Sequence, residues 1–188
     1  MSQLKVDSII PTTGAPTSGG GGIVQVVQNS DTTTTGILDL GSGNAFASIP
    51  NLNVTITPRS ASSKVLISFQ AWGEGDAEDH KYSLRVQRAI SGGATTNIAA
   101  PAAGSRISTM SMVAVGYNGS DQNSTPAIGA VSNYLDSPST TSAITYTVQI
   151  RSHESGSSEW NYNRTNADTD GADFERGISW ITVMEVSA

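Results

Sequence analysis

Apolar and polar residues alternate with a period of two along most of the chain after residue 22. Successive side chains of a β-strand point to opposite faces, so each alternating run predicts a strand with one buried face. The clearest run is AITYTVQIRS (143–152), whose apolar side consists of Ile144, Tyr146, Val148 and Ile150. Further runs with this period occupy positions 23–28, 52–58, 64–72, 82–90, 107–117, 126–135 and 177–186.

The runs are separated by clusters of Gly, Pro, Asn, Asp and Ser, which supply the backbone angles that tight turns need. About eight or nine strands at regular spacing, with no amphipathic helix, are typical of an antiparallel β-sandwich or jelly roll. We therefore predict an all-β fold of this kind. The last run also predicts that Trp180 is a core residue, within an inward stripe formed by Ile178, Trp180, Thr182, Met184 and Val186.

The first 22 residues have a different pattern, in which a short strand-like piece (4–10) is followed by Pro11, Pro16 and four glycines (19–22). So few apolar side chains cannot form a core, but addition as a strand to another protein would satisfy their backbone and side chains. An attachment segment is therefore expected, with a flexible tail as the alternative. Its contact residues would be Leu4, Val6, Ile9 and Ile10. The predicted division is an attachment segment with a glycine-rich hinge over 1–22, a connecting strand or loop over 23–44, and a β domain over 45–188.

The composition restricts the classes of partner. The chain of 188 residues carries a formal net charge of −6, which disfavours binding to the phosphate backbone of nucleic acids. It contains no cysteine, which excludes disulfides and thiolate metal sites. No apolar run approaches the about 20 residues that a membrane-spanning helix requires. We therefore expect neither nucleic-acid binding nor membrane insertion.

Catalytic motifs are absent from the sequence. The chain has two histidines, His80 and His153, and the neighbouring Asp79 gives no triad geometry by itself. It contains no G-x-S-x-G turn, no phosphate-binding glycine loop and no H-E-x-x-H pair. We therefore predict that the protein is not an enzyme and has no cofactor, and that both histidines are solvated loop residues.

One acidic segment resembles part of a calcium loop. In NADTDGADFE (166–175), Asn166, Asp168 and Asp170 have the spacing of the opening half of such a loop. Gly177 occupies the twelfth position, where a bidentate carboxylate is required. A solvated acidic turn is therefore the favoured interpretation, and no metal site is predicted. The residues that would serve a calcium ion are Asp168, Asp170 and Asp173.

Three aromatic residues lie in polar surroundings. Trp72 ends a strand run, and Trp160 and Tyr162 belong to SEWNYNR (158–164). Exposed aromatics beside amides and charges stack on sugars or contact partner surfaces. The alternative is that they cover the ends of the sandwich. Both interpretations stay open, and these three residues are the candidates for contact with a receptor.

Several stretches, in this order, resemble short fibre proteins of marine tailed bacteriophages, of the kind found in cyanophages. They are LKVDSI, GGIVQVVQ, VTITPRSASSKVLISFQAWG, YLDSPSTTSAITYTVQIRS and NRTNADTDGADFERGISWITVMEV. The resemblance spans Leu4 to Val186. It implies that the N-terminal segment docks into the virion and that the β domain is a trimeric tip facing the host. The family's long shaft is replaced here by about twenty residues, which leaves a tail fibre or a shorter head or tail appendage open.

The resulting hypothesis is a structural protein on the exterior of a phage particle, a short homotrimeric fibre. Its expected partners are two further copies of itself, other tail or capsid proteins, and a host cell-surface receptor such as a glycan. A capsid decoration or head-fibre protein that stabilises the shell is the first alternative, and a carbohydrate-binding module is the second. Because the run 107–117 is apolar on both sides, it is expected to pack at the trimer interface. The interface candidates are Ile107, Met110, Met112 and Val113.

Overall fold

The structure is a computed structural model that describes residues 22–41, 45–76, 82–113, 124, 126–153 and 158–187. The described residues form an antiparallel β-sandwich without a helix, so the all-β prediction is confirmed. The strands are β1 (Ile23–Asp31), β2 (Ile37–Asp39), β3 (Ala47–Ile56), β4 (Lys64–Gly75), β5 (Tyr82–Ile90), β6 (Thr95–Ile98), β7 (Ser111–Val113), β8 (Ala127–Asp136), β9 (Ile144–Ser152), β10 (Glu159–Tyr162) and β11 (Ser179–Val186).

The strands belong to two sheets. Sheet I contains β1, β2, β4, β8, β10 and β11, and sheet II contains β3, β5, β6, β7 and β9. The alternating runs have one apolar side each, and burial of these sides between the two sheets is what holds the sandwich together. In β4 and β9 the predicted inward residues have no exposed surface; they are Val65, Ile67, Phe69, Ala71, Ile144, Tyr146, Val148 and Ile150.

One strand position of sheet I is interrupted by a loop. β10 and β11 both pair with β4, with Tyr162 opposite Gly73 and Trp180 opposite Gln70. The chain between them leaves the sheet after Tyr162 and returns at Ser179. On the side away from β4, β2 pairs with β10 and β1 pairs with β11. β10 and β11 therefore lie in line as two parts of one long strand, separated by residues 163–178, which leave the sheet. We call residues 163–178 the insertion loop.

A polar clasp joins the two sheets near one edge. Asp136 on β8 accepts hydrogen bonds from Arg88 Nη1, at 2.7 and 2.9 Å, and from the hydroxyl of Tyr146 at 2.8 Å. Arg88 and Tyr146 are cross-strand partners on the inward side of sheet II. Burial and the neighbouring Asp136 carboxylate raise the pKa of Tyr146, so its hydroxyl remains a donor.

Several strand boundaries differ from the sequence-based predictions. The segment 23–44 was expected to be a connecting strand or loop before the β domain. Its predicted strand at 23–28 is present as β1, and β1 and β2 pair with β11 and β10 of the same chain, so the sandwich begins at Ile23. The short strands β2, β6 and β10 were not predicted, because three or four residues are too few for a clear alternation. Within 107–117, the described strand is confined to Ser111–Val113.

The predicted inward face of β11 is wrong. Ile181, Val183 and Glu185 have no exposed surface, whereas Trp180 is half-buried and Ile178 is exposed. β11 is apolar on both faces, and its inward face includes an acid that the pattern assigned to solvent. Glu185 accepts hydrogen bonds from Gln25 Nε2 at 2.6 Å and from the backbone N–H of Arg59 at 2.8 Å, which satisfies its buried carboxylate.

Candidate functional site

Among the loops that the structure describes in full, the insertion loop is the longest connection between two consecutive strands, and it folds over the outer face of sheet I, above Glu74 and Trp72. Compact loops of this length, with their ends close together, frequently carry function because a rigid scaffold holds them in place. At its base, the N–H of Asn163 donates to the carbonyl of Trp72 at 3.0 Å, and that of Gly177 donates to the carbonyl of Asn163 at 3.1 Å. These bonds close the loop where it leaves the sheet.

Asn163 and Ser179 fasten the two ends of the insertion loop. The hydroxyl of Ser179 donates to Asn163 Oδ1 at 2.7 Å and accepts the backbone N–H of Trp72 at 3.0 Å. The side-chain amide of Asn163 donates to the carbonyls of Asp31 and Thr33, at 2.9 and 3.1 Å. Asn163 has a φ of 62°, a left-handed conformation that Asn tolerates better than most residues do.

A buried polar network lies between the loop and the sheet. Glu74 Oε2 accepts the backbone N–H of Asn166 at 2.7 Å, and the Asn161 amide donates to Asn166 Oδ1 at 3.0 Å. The Arg164 guanidinium donates to Asn161 Oδ1 at 2.7 Å and to the carbonyls of Thr165 and Asn166. Because buried polar groups are costly unless paired, this network favours one loop conformation.

The tip of the insertion loop is acidic and exposed. Residues 166–176 contain four carboxylates and one guanidinium, which amounts to about half of the chain's formal net charge of −6. Arg176 binds Asp168 through two hydrogen bonds, at 2.9 and 3.0 Å. The hydrogen bond and charge of Asp168 raise the pKa of Arg176. A shallow depression at the tip is lined by Asp168, Thr169, Asp170, Gly171, Phe174 and Arg176.

The structure does not bring the calcium candidates together. Within the described ranges, no group of three or more His, Asp or Glu side chains is close enough to hold a metal ion. Asp168 is engaged by Arg176, and Asp173 does not line the depression that contains Asp168 and Asp170. The segment is therefore described as an acidic loop tip without a metal cluster.

The expectation that Trp160 and Tyr162 face a receptor is wrong. Trp160 has no exposed surface, and Tyr162 is 7% exposed. Both side chains point between the sheets, where Gly73 leaves space for the Trp160 ring and Tyr82 packs against it with ring centroids 5.2 Å apart. Their polar sequence neighbours suggested exposure, but those neighbours are buried in the network beneath the loop.

Trp72 is half-buried on the outer face of sheet I. A side chain at Gly177 would collide with its indole ring, so the end of the insertion loop packs directly against Trp72. Its cross-strand partner on β8 is Ile128, which is about half exposed. Trp72 is thus the one receptor candidate with accessible surface, and it lies beside the loop.

The interface candidates around β7 do not form an uncovered apolar face. Val113 is 3% exposed and belongs to the core, so its assignment to an interface is wrong. Met110 packs against the core, and Ile107 is half-buried. Met112 alone is strongly exposed, at 52%, on the outer side of sheet II. One exposed methionine does not make an association surface.

The attachment candidates Leu4, Val6, Ile9 and Ile10 lie outside the described residues, as does His80. His153 is described, and its Nε2 is 2.7 Å from the hydroxyl of Ser83. Ser83 is 1% exposed, so it lacks the access that a nucleophile needs. The hydrogen bond between His153 and Ser83 connects the end of β9 to β5.

The chain enters the sandwich and forms the insertion loop at opposite ends of β11. The N–H of Ser187 donates to the carbonyl of Gly22 at 3.0 Å, which places the first described residue next to the C-terminal end of β11. The insertion loop joins β11 at Ser179, its other end. The 8 residues of β11 span about 27 Å. An anchor preceding Gly22 would therefore leave the loop remote from the anchor.

No protein-family model matches the chain, and the search of curated proteins found no match to its sequence. Among the described residues, no helix has the length and apolar character that crossing a bilayer requires.

Proposed function

We propose that this chain is a non-enzymatic structural protein on the exterior of a bacteriophage particle, a short homotrimeric fibre. Its N-terminal segment attaches to the particle, and its β-sandwich presents the insertion loop to a receptor on the host surface. The phage assignment comes from the sequence resemblance. The geometry bears on how such a protein would work.

The observation that carries this proposal is the placement of the chain entry and the loop at opposite ends of β11. Gly22 marks one end and Ser179 the other. A protein that links two objects needs its two contact regions apart, so that one can be bound without covering the other. A single-site binding module has no such requirement.

The insertion loop is suited to contact because its shape is set before binding. Its base is closed by backbone bonds, and Glu74, Asn161 and Arg164 hold it from below. A preformed loop loses little conformational entropy on binding. The exposed carboxylates at its tip favour a partner surface with cationic groups or hydroxyl donors. Several weak contacts per particle then add through avidity.

The test is competition for adsorption by the purified full-length chain. Wild type should reduce attachment of the phage to its host in a concentration-dependent manner. A variant with Asp170→Asn, Asp173→Asn and Glu175→Gln keeps the size of the side chains but removes three charges. We expect it to require at least about tenfold more protein for equal competition, since each charged contact contributes about 1 kcal/mol or more.

Asp39→Asn is the matched control, because Asp39 is exposed on β2 and its Oδ1 accepts only the N–H of Gly41 among the bonds described, a role that Asn retains. It should compete as wild type does. If wild type is present on the particle but does not compete at all, the receptor role is wrong and a decoration protein becomes the better account. If the loop variant competes normally, the loop is not the contact region.

A further inference from the structure

An apolar stripe crosses the outer face of sheet I. It consists of Val26 on β1, Met184 on β11, Leu66 on β4 and Leu135 on β8. Each residue is the direct cross-strand partner of the next, so the four side chains form one continuous row. Val26 and Leu135 are more than half exposed, and the other two are half-buried by their neighbours.

The surroundings of the apolar stripe are nearly free of charge. From the Gly22 end of the sheet to Trp180, the outward positions of β1, β11 and β4 carry one charged side chain, Lys64, at the sheet's end. The others are small polar or apolar residues, such as Thr182, whose hydroxyl accepts a bond from Gln28 at 2.7 Å. Depletion of charge distinguishes the centre of an interface from ordinary surface.

The size of this face fits a subunit contact. Four strands about 4.8 Å apart and about 25 Å long give a flat footprint on the order of 500 Å². Stable interfaces bury about 800 Å² of accessible surface per partner, and a side-chain surface has more accessible area than its flat projection. Only the apolar stripe is apolar within this footprint, and a contiguous row of exposed apolar side chains at the centre of a nearly uncharged face is typical of an interaction site.

The position of the chain entry favours a second copy as the occupant. The described chain begins at Gly22 and enters sheet I at its edge strand β1, at one end of this face; 21 residues precede it in the sequence. Copies that associate through the face, with their strands roughly aligned, would bring their N-terminal segments together at one end. Their insertion loops would then lie side by side at the other end, because the loop stands on the same face near Trp72.

We propose that the outer face of sheet I, centred on Val26, Met184, Leu66 and Leu135, is the surface through which copies of this chain pack around a three-fold axis. This inference rests on the proposed function, from which the number of three copies is taken. The interface is moved from β7, where the sequence placed it, to the sheet that begins with β1.

The test is the mass of the purified full-length chain in solution, measured by light scattering at about 10 µM. Wild type should have three times the chain mass of 19.5 kDa. Leu66→Asp and Leu135→Asp should each shift the mass to that of one chain, because a carboxylate cannot be buried unpaired in an apolar contact. Circular dichroism and thermal unfolding check that the variants fold; Leu135 is exposed, so its variant keeps the core intact.

Met112→Asp is the matched control, since Met112 is 52% exposed but lies on the outer side of sheet II, away from the apolar stripe. This variant should keep the wild-type mass. A wild type with the mass of one chain contradicts the three-fold contact and the trimer of the proposed function, and means that residues 1–21 or another protein cover the stripe. A trimer that survives both stripe variants, or that Met112→Asp dissociates, contradicts only the choice of face. The adsorption assay is scored separately, so a failed receptor role is distinguishable from either result.

Discussion

The hydroxyl of Ser179 and the side-chain oxygen of Asn163 lie 2.7 Å apart, with Ser179 as the donor, at the point where sheet I is interrupted. One serine thereby serves two partners, since it also accepts the N–H of Trp72. The bond converts a break in a strand into the closed base of a loop.

Ser179→Ala should therefore destabilise the protein although it removes a single oxygen atom. It leaves the N–H of Trp72 and the buried amide oxygen of Asn163 without this partner, at a cost of about 1–3 kcal/mol. Urea unfolding measures the loss, and amide hydrogen exchange should show faster exchange within 163–178. Ser142→Ala is the control, because Ser142 is exposed. Equal stability of the two variants would show that the Ser179 hydroxyl does not hold the loop.

Variants of Trp160 test whether this residue contributes to the core or to a binding surface. Trp160→Ala should cost about 3–5 kcal/mol, as for other large buried aromatics, and should reduce binding only through unfolding. Gly73→Ala should also destabilise, because its new methyl group would meet the backbone carbonyl of Asn161 and the Trp160 ring. In Trp160→Leu the cost of Gly73→Ala should shrink, which a double-mutant cycle of denaturant unfolding detects. Additive effects would contradict the contact.

Two ion pairs of the chain should differ strongly in their contribution. Asp136→Asn disrupts the clasp with Arg88 and Tyr146 between the sheets and should cost about 3–5 kcal/mol. Asp168→Asn breaks the exposed pair with Arg176 and should cost far less, because solvent screens an exposed pair. Thermal unfolding of the two variants compares them directly. A larger loss for Asp168→Asn would mean that the loop tip, not the clasp, limits stability.

Glu185 should make the stability depend on acid pH. Burial alone would raise the pKa of its carboxyl, but hydrogen bonds from Ser63, Gln25 and the backbone N–H groups of Arg59 and Ser60 outweigh burial and lower the pKa below 4.5. A folded-state pKa below the unfolded value stabilises the protein above pH 4.5, and that contribution is lost as the pH falls through the folded-state pKa.

Glu185→Gln removes this titration. The free energy of unfolding of wild type should decline below about pH 4.5 more steeply than that of the variant, by up to about 1.4 kcal/mol per pH unit. Urea unfolding at several pH values measures both slopes. Parallel curves for the two proteins would exclude a lowered pKa at this position.

The sequence predicted the sandwich because β4, β5 and β9 each have one apolar and one polar face, and burial of one face needs no further information. It predicted the wrong inward face for β11. Trp180, Met184 and Val186 on the outer face are as apolar as Ile181 and Val183 on the inner face. Both sets are apolar, because the inner residues face the core and the outer residues lie on the face that contains the apolar stripe. Periodicity cannot decide between two apolar faces; the buried Glu185 was the misleading position.

The candidate site was harder to predict for a related reason. Trp160 and Tyr162 are surrounded by Ser, Asn and Arg, which usually signals solvent exposure. Here Asn161 and Arg164 satisfy one another beneath the loop, a long-range arrangement that no local pattern records. The same segment was correctly singled out as acidic, because the charges of 166–176 are exposed whatever lies under them.

The central claim is that the chain is anchored at its N-terminal end and presents the insertion loop outward as a trimer. A reconstruction of the assembled phage particle, with this chain located in the density, tests it most directly. The account predicts groups of three copies, with Gly22 towards the particle and residues 163–178 on the side that faces away from it. Single copies spread over the capsid, or loops that face the shell, would contradict it.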